Sequence, residues 1–444
     1  MKWNGLGQLT SARGFRASSR GIKTVAVSLA VGLGMTACSR DYTLSYLYVT
    51  SITRNSTGLV NEYSVDYQSG SISPLAQASI ATGANPVALV ASPDSKNLYV
   101  VNHGQTGNTD SSISHYAIGT DGKLYPQETT NVVQNAGLTV FGSFPISAAI
   151  DPAGNFLYVT FLYQNGYTTL NPGPGGVAVF PITHSSDATK NGALGAPLVN
   201  TTVGTTAANP LPYFPVGDNP VGVFVAPKGG FVYVVDQEKP ANAAAYGVLV
   251  AFTQNTDGSL KPIPGPVSGG FAAGTTPAAV AVDAGGHFIY VTDETTNQLY
   301  GFVISAGGAV PAGAPVAMVA SPFGTGSFPT GLTVDPRGLY VYVTNYGSST
   351  LSAYAINQST GALSGITSGS GTGVGTGPQC VTIEPALGTY LFTSNYLDNS
   401  ISAEKLQSET GSLSAVQGTP FSTAAFPSCA VAVANGAHAT QFVD

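Results

Sequence analysis

The chain has 444 residues, of which only 8% are charged, and its 15 Lys+Arg against 22 Asp+Glu leave a net charge of −7. So few cations exclude a surface for a polyphosphate backbone, and nucleic acid is not among the expected partners. A hydrophobic content of 43% can fill a large core, while 55 Gly and 29 Pro announce many turns but stay below the roughly 25–30% that marks disorder.

The first predicted element is an export signal. Lys2, Arg13, Arg16, Arg20 and Lys23 precede an apolar run from Val25 to Met35 that is too short to cross a bilayer as a helix. Met35-Thr36-Ala37-Cys38 resembles a bacterial lipobox, which implies cleavage before Cys38 and acylation of its sulfur. The expected division is a signal peptide at 1–37, a short tether at 38–45 and one folded domain at 46–444. Loss of the signal removes five cations and no acid, leaving 10 Lys+Arg against 22 Asp+Glu. The expectation is an acidic monomer in the bacterial cell envelope, held to the outer membrane or periplasmic face by lipid alone.

From there the chain repeats itself. A four-residue apolar block recurs at Leu47-Tyr48-Val49-Thr50, Leu98-Tyr99-Val100-Val101, Leu157-Tyr158-Val159-Thr160, Val232-Tyr233-Val234-Val235, Ile289-Tyr290-Val291-Thr292, Val341-Tyr342-Val343-Thr344 and, more loosely, Tyr390-Leu391-Phe392-Thr393. β-Branched and aromatic runs of this length, bounded by turn formers, predict strands. A second block opens with Pro at 86, 145, 220, 277, 329, 378 and 427, and all but the last lead through a tight turn such as Asp151-Pro152-Ala153-Gly154 into a Tyr-Val block. The acids in those turns read as caps rather than as a catalytic series. A third strand and a short fourth follow each Tyr-Val block, as at Leu351 to Ile356 and Gly361-Ala362-Leu363. Seven such units predict an all-β, seven-bladed β-propeller of four-stranded antiparallel blades. Because the folded chain opens on a second strand and closes on a first, its N- and C-terminal segments should pair and close the ring.

Tyr342-Val343-Thr344-Asn345 is a literal YVTN repeat, and the Pro–turn–Tyr-Val unit resembles the YVTN-repeat and lactonase-type, 6-phosphogluconolactonase-like, seven-bladed propellers over about Tyr46 to Val443. The resemblance implies lactone hydrolysis by acidic, His or Arg side chains at the mouth of the central channel, with a His common soon after the first-strand Pro. Here Val87, Ile146, Val221, Ala278, Thr330, Gln379 and Ser428 follow those prolines, and no family catalytic residue transfers. The balance therefore favours a binding or scaffold module over an enzyme, with a lactone hydrolase (a carboxylic ester hydrolase) as the alternative.

The remaining candidates follow from position. His103, just past a Tyr-Val strand, is the one His placed at a propeller mouth. Extra chain gathers in the third and fourth blades, where Tyr163, Tyr167, Tyr213, Phe214 and Tyr246 suggest an exposed aromatic face for a protein, glycan or small-molecule partner. Asp236, Glu238, Asp293 and Glu294 lie on adjacent loops as a weak oxygen-ligand set, without the spacing of a calcium loop; no cofactor is expected. Cys380 and Cys429 each stand two residues after a first-strand Pro in neighbouring blades. In an oxidising compartment they predict a disulfide.

Overall fold

The computed structural model describes residues 42–436 apart from 107–109, 132–141, 165, 168, 202–209, 238–245, 268 and 367–370. Among the described residues every regular element but an isolated turn is a strand, and the strands form seven antiparallel sheets. We number the blades by the order of their Tyr-Val strands. The inner strands of blades 2 to 7 are Pro86–Ala91, Ser143–Ile150, Pro220–Val225, Pro277–Val282, Pro329–Val334 and Pro378–Ile383. Each packs against the next. The C-terminal strand Phe426–Ala434 touches both the first and the last of them, so the ring is closed. That strand is the inner strand of blade 1, paired with Thr43–Ile52 at the other end of the chain. In blades 4 to 7 the outermost position is shared by two short segments, such as Pro315–Ala317 and Phe323–Gly324, which pair with opposite halves of Gln298–Ile304. Those blades have five strands rather than the expected four.

Each letter of the repeat has a physical task. The Tyr ring is buried between blades, and its hydroxyl donates to a glycine carbonyl in the outer turn of the next blade. The pairs are Tyr48–Gly122 (2.6 Å), Tyr99–Gly192 (2.6 Å), Tyr158–Gly258 (3.2 Å), Tyr233–Gly313 (2.9 Å), Tyr290–Gly361 (2.7 Å) and Tyr342–Gly411 (2.7 Å). At Gly361, φ is +74° and an added Cβ would collide with the Phe288 ring, so only glycine fits the turn. The Thr hydroxyl accepts the N–H that a β-bulge removes from the ladder two residues after the inner-strand Pro; Thr344 takes Gly331 N at 2.7 Å and Thr292 takes Ala279 N at 3.0 Å. The Asn amide ties the second strand to the third: Asn345 donates to Thr350 and Ser352, and Asn395 donates to Ser400 and Ser402, all at 3.0 Å.

Acids in the inner turns are caps, as expected. Asp283 accepts from the backbone N–H of Gly285, His287 and Phe288, and Asp335 accepts from Leu339 and Tyr340.

One seam breaks the pattern. In blade 7 the residue in register with Tyr342 is Phe392, which has no hydroxyl to give to blade 1. Tyr390 reaches the Gln68 carbonyl instead, at 2.8 Å. At this same seam the Cys380–Cys429 disulfide joins the two inner strands, with Cα atoms 5.0 Å apart. The covalent link stands where the tyrosine latch is missing.

Candidate active site at the ring mouth

The second-to-third-strand loops and the entries to the inner strands share one end of the ring. Strand register aligns one residue per blade there, immediately after the partner of the inner-strand Pro: Ile52, His103, Leu162, Gln237, Glu294, Tyr346 and Tyr396. The backbone fixes the position in the same way each time, for the N–H of His103, Gln237, Glu294 and Tyr346 goes to the carbonyl of Asn85, Asn219, Thr276 and Phe328 respectively.

Two of these side chains serve as staples. His103 Nδ1 lies 3.1 Å from the Pro145 carbonyl of the next blade, and Gln237 Nε2 donates to the Pro277 carbonyl at 2.9 Å. A carbonyl only accepts, so Nδ1 carries the proton and Nε2 is bare. Burial holds the His103 pKa below its ordinary value, which keeps the ring neutral.

Glu294 occupies the same place in blade 5 but its carboxylate cannot donate. It is half-buried and accepts no hydrogen bond from any described residue. Its pKa is pushed up to about 7, first by burial and then by the Asp293 carboxylate beside it. Asp293 itself is wholly buried and spent on the loop backbone, accepting from Thr275, Thr276 (3.0 Å), Thr295 (3.0 Å) and Thr296 (2.9 Å). Asp236 is likewise buried and takes Asn219 N at 2.8 Å. These two acids are loop anchors rather than rim groups. Among the described residues no cluster of His, Cys, Asp or Glu could hold a metal, and Glu238 lies outside them.

The next blade brings an aromatic pair, Phe328 and Tyr346, to the same end of the ring. Phe328 has φ of +55° and is 44% exposed, a conformation and a setting both costly for a bulky apolar residue. Its N–H goes to Asn297 Oδ1 at 2.7 Å, in the loop that begins at Glu294. Tyr346 is its neighbour, with ring centroids 6.0 Å apart. Phe144 repeats the strained conformation at φ of +59° and packs on His103 at 4.8 Å. A carboxyl without a hydrogen bond among the described residues, with its pKa pushed up to about 7 and an exposed ring on the next blade, can move a proton for a small ring compound.

The expected aromatic face divides differently. Tyr213 and Phe214 are buried, at 6% and 1% exposure, because Phe214–Pro215 is the outer strand of blade 3 and pairs with Gly176–Val177. Tyr213 packs edge-on against Phe161 and its hydroxyl donates to Gln164 Oε1 at 3.1 Å. They are core, and the insertion that carries them closes a blade. Tyr163 sits edge-on to Phe144 at 5.8 Å and so belongs to the mouth. Tyr246 is half-buried against the core between blades 3 and 4, and Tyr167 is 37% exposed, away from Glu294 in sequence and blade. Cys38 and the signal peptide lie outside the described residues.

The sequence from 46 to 424 matches the family model described as "Lactonase, 7-bladed beta-propeller". No curated protein matches the chain. Among solved structures it is similar to a candidate 6-phosphogluconolactonase from Bacteroides uniformis, with 20% identity, a TM-score of 0.63, and 88% of this chain and 100% of that one covered. A second candidate 6-phosphogluconolactonase, from Bacteroides fragilis, matches at 19% identity and a TM-score of 0.62, covering 89% and 99%. The periplasmic gluconolactonase of Pseudomonas aeruginosa matches at 19% identity and a TM-score of 0.60, covering 88% and 99%. The family match overturns the expectation of a non-enzymatic binding or scaffold module and points to an enzyme, a lactone hydrolase.

Proposed function

The chain belongs to the lactonase family of seven-bladed β-propellers, and from that premise we propose that it hydrolyses lactones at the ring mouth with Glu294 as general base. The observation that carries this reading is the Glu294 carboxyl: half-buried, without a hydrogen bond among the described residues, and titrating at about 7. A base poised near the working pH is ionised often enough to act and basic enough to accept a proton. The ionised carboxylate takes a proton from water as the water oxygen bonds to the lactone carbonyl carbon. The ring C–O bond then breaks, the departing ring oxygen receives that proton, and an open hydroxy acid leaves with Glu294 again ionised.

Phe328 and Tyr346, on the blade next to the acid and tied to its loop through Asn297, offer apolar faces on which a lactone ring can lie and be oriented for attack. His103 stabilises the mouth from blade 2 through Pro145. We further propose, from the basic and apolar N-terminal segment alone, that the enzyme works outside the cytoplasm on a lipid anchor at Cys38; Cys38→Ser should release it from the membrane fraction.

The direct test is acid release from a sugar lactone in a weakly buffered assay, with the spontaneous rate subtracted. Release that scales with protein concentration supports the reading, and a rate equal to the blank rejects it.

A further inference from the structure

Resting on the lactonase reading, we propose that the substrates are uncharged sugar lactones and that the mouth discriminates against phosphorylated ones. Beside Glu294, the blade 5 and blade 6 approaches to the mouth are Thr276, Ala278, Phe328, Thr330 and Tyr346, none of them cationic. A phosphate dianion bound there would find no guanidinium or ammonium to neutralise it, whereas phosphate recognition elsewhere depends on such groups or on a helix N-terminus. Among the described residues the strands supply no helix to provide the second device.

The wider face is also the wrong sign for a phosphate. Among the described residues of the loops at this end there is one cation, Arg54. Against it stand the accessible Asp110, Asp218, Glu294 and Asp398, with Asp236 and Asp293 buried beneath them. Arg54 is exposed at the tip of the blade 1 loop. An approaching dianion therefore meets a net negative rim around a catalytic carboxylate, and like charges lower both the encounter rate and the affinity.

What the mouth does offer is apolar and hydrogen-bonding surface. Phe328 is held at positive φ with 44% of its surface exposed, next to Tyr346. An exposed ring held in place this way, with a half-buried Tyr against it, suits the C–H face of a pyranose or furanose ring, and that contact needs no charge on the ligand. The chemical class is thus a neutral aldonolactone.

The test compares glucono-δ-lactone with its 6-phosphate as substrates of the full-length protein, at low salt and at about 0.3 M salt. The proposal expects kcat/KM for the neutral lactone to exceed that for the phosphate by about tenfold or more, with only the phosphate improving as salt screens the rim. Equal or faster turnover of the phosphorylated lactone overturns it while leaving the lactonase reading standing. Turnover of neither compound overturns both.

A gain of charge gives a second readout. Thr296 is exposed two residues from Glu294 and its side chain takes no part in the site. Thr296→Lys should raise kcat/KM for the phosphate several-fold and leave the neutral substrate unchanged. Equal shifts for both substrates would mean that charge at the mouth does not set the preference.

Discussion

Replacing Tyr290 by Phe keeps the buried ring and removes one hydroxyl, so the change isolates the latch between blades 5 and 6. Tyr290 is wholly buried and its hydroxyl donates to Gly361 O at 2.7 Å. The low dielectric around it is evident in its pKa, which burial and then Asp283 drive far above the ordinary tyrosine value. In the variant the Gly361 carbonyl loses this donor without regaining water, which costs about 1–3 kcal/mol. No cavity larger than an oxygen is left, so the loss should fall well below the roughly 3–5 kcal/mol of an aromatic-to-Ala change. Equilibrium urea unfolding is the assay: the midpoint should fall at unchanged slope, because the surface exposed on unfolding is the same. Tyr99→Phe, which removes the latch to Gly192 between blades 2 and 3, should cost a similar amount and add to the first within about 0.5 kcal/mol, as the two sites share no partner. A loss below about 0.5 kcal/mol in both single variants would refute the claim that these hydroxyls hold the blades together.

Reduction of Cys380–Cys429 should destabilise the ring by about 4 kcal/mol, the loop-closure entropy for a separation of 49 residues; equal urea midpoints with and without reductant would contradict this. Glu404 lies buried where blades 1, 2 and 6 carry a Tyr, and burial pushes its pKa from 4.5 to about 7. The folded carboxyl thus holds its proton more tightly than the unfolded one. Its contribution is complete below about pH 4.5 and is lost as pH rises through 7, at up to about 1.4 kcal/mol per unit. Glu404→Gln should remove that share of the loss and raise stability above pH 7, and an unchanged pH slope would exclude the assignment.

Blade number, ring closure and the disulfide were all legible in the sequence, because each rests on a short local pattern. Pro, the capped turn and the Tyr-Val block lie within about fifteen residues of one another, and the small positions after Pro lead directly to Cys380 and Cys429. The latches were not legible. Tyr342 meets Gly411 across 69 residues, and nothing local distinguishes a core tyrosine from one that reaches the next blade. Phe214 misled for a related reason: an insertion rich in Pro and aromatics resembles a recognition loop, but strand pairing with Gly176–Val177 makes it the wall of a blade. Glu294 was visible only as one acid among four. No His stands at the position after the inner-strand Pro, whereas the mouth residue follows the last letter of the YVTN block. That next letter across the blades is Ile52, His103, Leu162, Gln237, Glu294, Tyr346 and Tyr396, and only one of these is a carboxylic acid.

The central claim is best tested by the pH dependence of lactone hydrolysis in the wild type and in Glu294→Gln. With Glu294 as base, wild-type kcat/KM, corrected for spontaneous hydrolysis, should rise with pH and level off above about 7. Glu294→Gln should lose activity by about 10²-fold or more and lose that inflection, with its urea midpoint not lowered. A variant that keeps wild-type kcat/KM, or keeps the inflection near 7, would contradict the assignment of Glu294 as the catalytic base.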